Sequence, residues 1–298
     1  MISSDIKLSI ILLGSLMLNA ELYTQDRFQR NIEIADSDTS KTYNMDEVVV
    51  TAHRHQEEKP VGAYKQPEWT LYRRFPSTRV YIQTPPGSAQ YEQWIEVRVP
   101  RQSSQKTVTR LRQELAFGLD YRLQLDLYLN SEHIRDVANS TFYLQGWSAE
   151  IRWAIADWGM IFGNPTIYFE YLFFNQAPDK IEPKLLLGGE LGMGWHWGAN
   201  FIYEREIASL PERDEEFAAV AAVSYTILDQ KLSIGTALNF ASETERNGSN
   251  SETTNSMLIG PSIQFRPVKK ASIDIEPLFG ITEESKKMRM FIVFSWDL

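Results

Sequence analysis

The chain has 298 residues and a mass of 34.4 kDa, with 43% hydrophobic and 12% aromatic residues, a net charge of -9 and no cysteine. The missing thiols exclude disulfide scaffolds, thiolate metal sites and cysteine nucleophiles, and the acidic balance argues against a nucleic-acid partner. A mean hydropathy of -0.32, with no apolar run of about 18 residues, excludes a helical membrane protein. It leaves a β-barrel open, because a barrel hides its lipid-facing side chains among polar ones.

Residues 8–18 (LSIILLGSLML) form an apolar core too short to span a bilayer, as in a secretory signal peptide, so residues 1–20 are expected to direct export. No cysteine follows to carry a lipid anchor. Residues 21–68 are polar, with few large apolar side chains, and read as a largely disordered periplasmic tail. One run inside the tail differs: Met45–Arg54 (MDEVVVTAHR) is β-branched, with acid before it and base after it. Such a run is a strand able to add to a partner's sheet edge. It resembles the TonB box of TonB-dependent outer-membrane receptors, where an acidic residue precedes a Val-rich stretch and Thr-Ala follows. The resemblance implies that Asp46, Glu47, Val48, Val49, Val50, Thr51 and Ala52 bind a TonB-type periplasmic protein. The rest of the chain is too short for the plug and 22-stranded barrel of those receptors.

Residues 69–298 are expected to form the barrel, with strands from about residue 91, where apolar and polar side chains begin to alternate. Leu123, Leu125, Leu127 and Leu129 share one face, for example, and Gln124, Asp126, Tyr128 and Asn130 the other. The pattern gives about twelve strands, near 91–100, 107–119, 120–131, 141–156, 164–175, 181–191, 194–206, 215–228, 230–243, 255–266, 270–282 and 286–298. The strands are longer than the ~5 to 6 residues usual in soluble sheets, and suit a tilted crossing of hydrocarbon.

The connections alternate in length. Short turns at 119–120, 191–193, 228–230 and 266–270 fit the periplasmic side, and long polar connections at 131–140, 207–216 and 242–254 the outside. Residues 157–164 (DWGMIFGN) break that rule and are expected to form an apolar flap or plug at the periplasmic rim. On the lipid-facing parity, Tyr121, Trp153, Trp195, Phe265 and Trp296 would form one aromatic girdle and Tyr143, Phe173, Tyr203, Phe217 and Phe240 the other.

The C-terminal FIVFSWDL resembles the terminal strand of bacterial outer-membrane β-barrel proteins, which implies recognition by the barrel-assembly machinery and a place in the outer membrane, among its lipids, of a Gram-negative-type bacterium. It ends in Leu298 where that class usually has an aromatic residue.

The inward parity carries Arg98, Arg112, Glu114, Arg122, Asp126, Glu150, Arg152, Glu170, Lys184, Glu190, Glu204, Asp274, Glu276 and Arg289. So many charges need pairing or water, which a narrow wet lumen supplies. Acids outnumber bases narrowly, so any leak would favour cations. The expected function is a narrow channel, a binding barrel or a structural membrane protein. The alternatives are a lipid-modifying barrel enzyme and a soluble periplasmic ligand-binding β-sandwich. Enzyme activity is disfavoured because His196 points inward, away from the lipid wall where a Ser-His pair would act. No motif implies a cofactor or a metal.

Overall fold

The computed structural model describes residues 60–102, 105–136, 138–192, 194–207, 212–228, 231–248 and 250–298. The segment 1–20, most of the tail and the Val-rich run 45–54 lie outside the described residues. A two-residue ladder, β1 (Pro60–Val61) with β2 (Gln66–Pro67), leads into a 3-10 turn at Glu68–Leu71. Twelve antiparallel strands then close into one barrel. They are β3 (Ala89–Val99), β4 (Thr107–Leu119), β5 (Leu123–Arg135), β6 (Ser140–Ala154), β7 (Thr166–Phe174), β8 (Lys180–Gly192), β9 (Trp195–Glu206), β10 (Glu212–Leu228), β11 (Leu232–Asn247), β12 (Asn250–Val268), β13 (Ala271–Gly280) and β14 (Met288–Asp297). The seam joins β14 to β3, with Ile292 opposite Ile95.

Each strand expected from the alternation is present, because a period of two is what a wall with one apolar and one polar face requires. Leu115, Leu127, Ile151, Phe169, Ile263 and Phe294 face outward and exposed. A soluble sheet would bury such a belt against a second layer. The closed sheet overturns the β-sandwich alternative.

Among the described residues, the long polar connections are mostly strand. Residues of 131–140, 207–216 and 242–254 largely extend the strands, and β11 and β12 pair out to Asn247 opposite Asn250. Cross-strand contacts support the extension: Thr244 and Thr253 join hydroxyls at 3.0 Å, and Arg246 donates to Glu215 at 2.5 Å. At about 3.3 Å per residue the 19-residue β12 is about 60 Å long, against a hydrocarbon core of about 30 Å. Its hairpin therefore stands clear of the bilayer.

Tyr203, Phe217 and Phe240 mark that boundary, the first two with ring centroids 4.6 Å apart. Tyr143 is a correction to the expected girdle. A bulge between Asn130 and Ser131 sets Asn130 opposite Gly146 but Ser131 opposite Leu144, which inverts the parity of the first part of β6. Tyr143 turns inward and donates to Glu132 at 2.6 Å. Trp147, stacked on Phe173 at 3.9 Å, holds the outward place.

Residues 69–88 belong to no wall strand. They form a loop inside the barrel, entering from the end that carries the short turns, named the periplasmic end after the rule for bacterial outer-membrane barrels. The apolar core therefore sits in the lumen, where Trp69 and Phe75 of this plug pack with Trp94, Ala222, Ala237, Leu258, Leu278, Phe291 and Val293 of the wall.

Candidate functional site

The lumen is divided into two tiers. The periplasmic tier is filled by the plug, whose tip is the turn Phe75–Thr78, closed by a Thr78 N–H to Phe75 C=O bond of 3.2 Å. Pro76 favours such a turn, which brings Arg73 and Arg79 back to the same stretch of wall. Arg73 lies 2.6 Å from Glu92 and 3.5 Å from Glu114. Arg79 reaches Glu114 at 3.3 Å, Glu150 at 3.7 Å and the Tyr128 hydroxyl at 2.8 Å. Both guanidinium groups lie over Trp94, at 4.1 and 5.5 Å from its ring centre, and the indole N–H donates to Glu114 at 2.9 Å. Burial alone would lower the Arg79 pKa, but Glu114 and Glu150 raise it well above its usual value, so the group stays charged. Behind this layer Arg152 bridges Asp126 at 2.6 Å and Glu150.

On the other side of the plug, Arg74 donates to Thr226 at 2.7 Å and Ser233 at 2.8 Å, and lies 3.2 Å from His196 Nδ1. Trp69 packs on His196 at 4.6 Å and donates to Glu190 at 2.9 Å. Tyr72 donates to the Lys269 carbonyl at 2.6 Å, and burial pushes its hydroxyl pKa up to about 12, keeping it a donor.

The plug backbone is held mostly by wall side chains. Asn200 accepts from the Arg79 N–H at 2.8 Å and donates to the Arg79 carbonyl at 2.7 Å. Gln124 accepts from the N–H groups of Gln83 and Thr84, and Gln264 donates to the Arg73 carbonyl at 2.9 Å. Backbone ladder contact is confined to the root, where Gly87 and Ser88 bond Gly118.

The extracellular tier is open and charged. Arg289 and Arg98 share Glu96, each at 2.5 Å; Arg110 meets Glu132 at 2.8 Å; Lys180 meets Glu204 at 2.9 Å; and Lys184 meets Glu182 at 2.7 Å. Exposure separates the tiers: the Arg110, Arg112 and Arg289 side chains are 38%, 32% and 31% exposed, whereas Arg73 and Arg152 are each 1% exposed.

The expected lumen charges thus fall into distinct places. Arg112, Lys184, Glu204 and Arg289 line the open tier. Glu114, Asp126, Glu150, Arg152, Glu170, Asp274 and Glu276 are buried in the lumen rather than bathed by water. Glu190 sits exposed at the periplasmic end as the Trp69 acceptor. Arg122 leaves the lumen lining: it lies in the β4–β5 turn with φ 61 and pairs with Asp157 at 3.2 Å. Asp46 to Ala52 lie outside the described residues.

The segment 157–164 forms a two-sided rim. Trp158 points inward and meets Trp69 and Tyr81 edge-on at 5.6 and 5.4 Å, closing over the plug. Met160 and Phe162 are exposed, Phe162 being 6.1 Å from the outward ring of Trp197.

Sequence reasoning singled out neither the plug arginines nor the amides that hold its backbone. One signal was present: Gly118, Gly188 and Gly198 occupy inward positions near the periplasmic ends. A Cβ there would fall 1.8 Å from the Pro85 carbonyl oxygen, 2.4 Å from Val80 Cγ1 and 2.8 Å from Val80 Cγ2, respectively. Inward positions stripped of side chains are where another backbone approaches closely.

No protein-family model matches the sequence, and no curated protein matches it. Among solved structures the chain is similar to an outer membrane channel from Pseudomonas putida F1, at 11% identity over 73% of this chain and 98% of that one, with a TM-score of 0.55. The NanC porin aligns at 12% identity over 70% and 100% of the two chains (TM-score 0.48), and the KdgM porin at 10% over 70% and 99% (TM-score 0.45). With its closed wall and apolar exterior, the chain has the fold of a closed twelve-stranded antiparallel β-barrel, similar to that outer membrane channel, and such a wall suits the Gram-negative outer membrane.

Proposed function

We propose that this protein is a gated channel of the outer membrane, closed by the plug and opened from the periplasm through the N-terminal tail. The observation that carries the reading is the division of the lumen: one tier is open and charged, and the other is filled by a loop that wall side chains hold without building it into the sheet. Removing such a loop leaves every wall strand paired. The TonB-box-like run 45–54 precedes the plug in the chain, so a pull on it would act on the plug first. His196 faces Arg74 and Trp69 in the lumen, which supports transport over lipid chemistry at the outer wall.

Planar-bilayer conductance tests the reading. Wild-type protein should conduct weakly, and an Arg73→Ala/Arg79→Ala variant far more. Adding Val80→Cys and Gly188→Cys, in a chain with no other thiol, should lock the plug until a reductant is supplied. A wild type that already conducts as an open pore, or a lock without effect, would contradict gating.

A further inference from the structure

Two different kinds of group hold the plug. Asn200, Gln124 and Gln264 read its backbone N–H and C=O groups and are indifferent to the side chains those residues carry. Glu92, Glu114, Glu150, Tyr128 and Trp94 read its guanidinium groups. Carboxylates beside an indole face suit a planar, weakly hydrated cation better than a compact ammonium. Among the described residues, the Arg73 Nη1 is buried without a hydrogen-bond partner, so the wall does not satisfy the guanidinium of the tethered loop fully.

Without the plug, the buried carboxylates Glu92, Glu114, Asp126 and Glu150 would face Arg152 as the one buried wall arginine close to them among the described residues, while Glu170 keeps the partly exposed Arg112 at 3.9 Å. That surplus would be costly unless another cation entered. We infer that the periplasmic tier of the lumen is a binding site for arginine-bearing peptides, which the plug occupies in cis. The inference rests on the gating reading in that the plug must yield, and it names the class of ligand that takes its place.

The test uses the full chain carrying Arg73→Ala/Arg79→Ala in detergent, with heat-modifiable migration as the check of folding. Its probes are guanidinium ion and a synthetic peptide covering residues 71–84 (LYRRFPSTRVYIQT). Millimolar guanidinium chloride should raise the melting temperature of the double variant by several degrees, where equal sodium chloride does not, and should leave wild type unmoved. The labelled peptide should bind the double variant and not wild type. A peptide with its arginines replaced by alanine should bind at least tenfold more weakly, and so should the native peptide to a variant that also carries Glu114→Gln. A folded double variant with no guanidinium-specific shift and no peptide binding would overturn the inference, as would equal binding of the arginine-free peptide. These readouts do not depend on conductance. A variant that conducts but binds nothing refutes this inference alone, and one that binds but never conducts refutes gating alone.

Discussion

Arginine side chains of the same wall occupy opposite electrostatic settings. Arg152 is buried between Asp126, Glu150 and Glu114, so Arg152→Ala strands carboxylates without solvent and should cost about 3 to 5 kcal/mol. Arg110 meets Glu132 in the open tier, and Arg110→Ala should cost about 0 to 1 kcal/mol. Denaturant unfolding in lipid vesicles measures both; equal losses would mean that the tiers do not differ in solvation. Leu125 and Gln124 make a second contrast. Leu125→Arg places a charge in hydrocarbon and should cost about 2 to 4 kcal/mol. From the alternation, Gln124 reads as facing water, so that change there should be mild. The structure reverses this, since Gln124 is 1% exposed and accepts from two plug N–H groups. Gln124→Ala should therefore cost about 1 to 3 kcal/mol of plug docking, seen as faster proteolysis within residues 66–84. Inward or outward was legible from parity along the regular strands, though not at Tyr143 beside the β6 bulge or at Arg122 in its turn. Wet or dry was not, because that depends on a segment outside the repeat.

At the scale of elements, the β11–β12 hairpin replaces the expected loop but keeps its exposure. An epitope inserted at Gly248, where φ is 63, should be reached by antibody on intact cells, and one at Lys269 should not. Reversed access would invert the barrel in the membrane. The tail makes an independent prediction. A peptide covering Asp46 to His53 should bind the periplasmic C-terminal domain of TonB by strand addition, and its Val49→Pro form, which lacks one donor, should not. Absence of binding by the native peptide would leave the plug without this route of opening. The strands were legible because each repeats one rule many times. The bulge in β6 and the rim at 157–164 were not, because each is a single local departure: Gly146 admits the Phe173 carbonyl, and Trp158 reaches a residue far away in sequence. The plug was hidden for the same reason: RRFPSTR has no period, and its partners are scattered over β3 to β12.

As a whole, the molecule should fractionate with outer membranes and migrate faster in detergent gels unboiled than boiled; recovery as soluble periplasmic protein would contradict the barrel's setting. Its assembled form also has a mechanical grain. The plug runs directly into β3, whose Ala89 lies at the periplasmic end of the seam, and β3 is bonded along its length to β14 on one side and β4 on the other. A force drawn from the periplasm through the plug therefore loads β3 along its own axis. The ladder bonds on both flanks share that load in shear, whereas the side-chain contacts of the plug detach one after another. Tension too weak to extract a strand should still unroll the loop, and slackening should let it re-seat between walls that never parted.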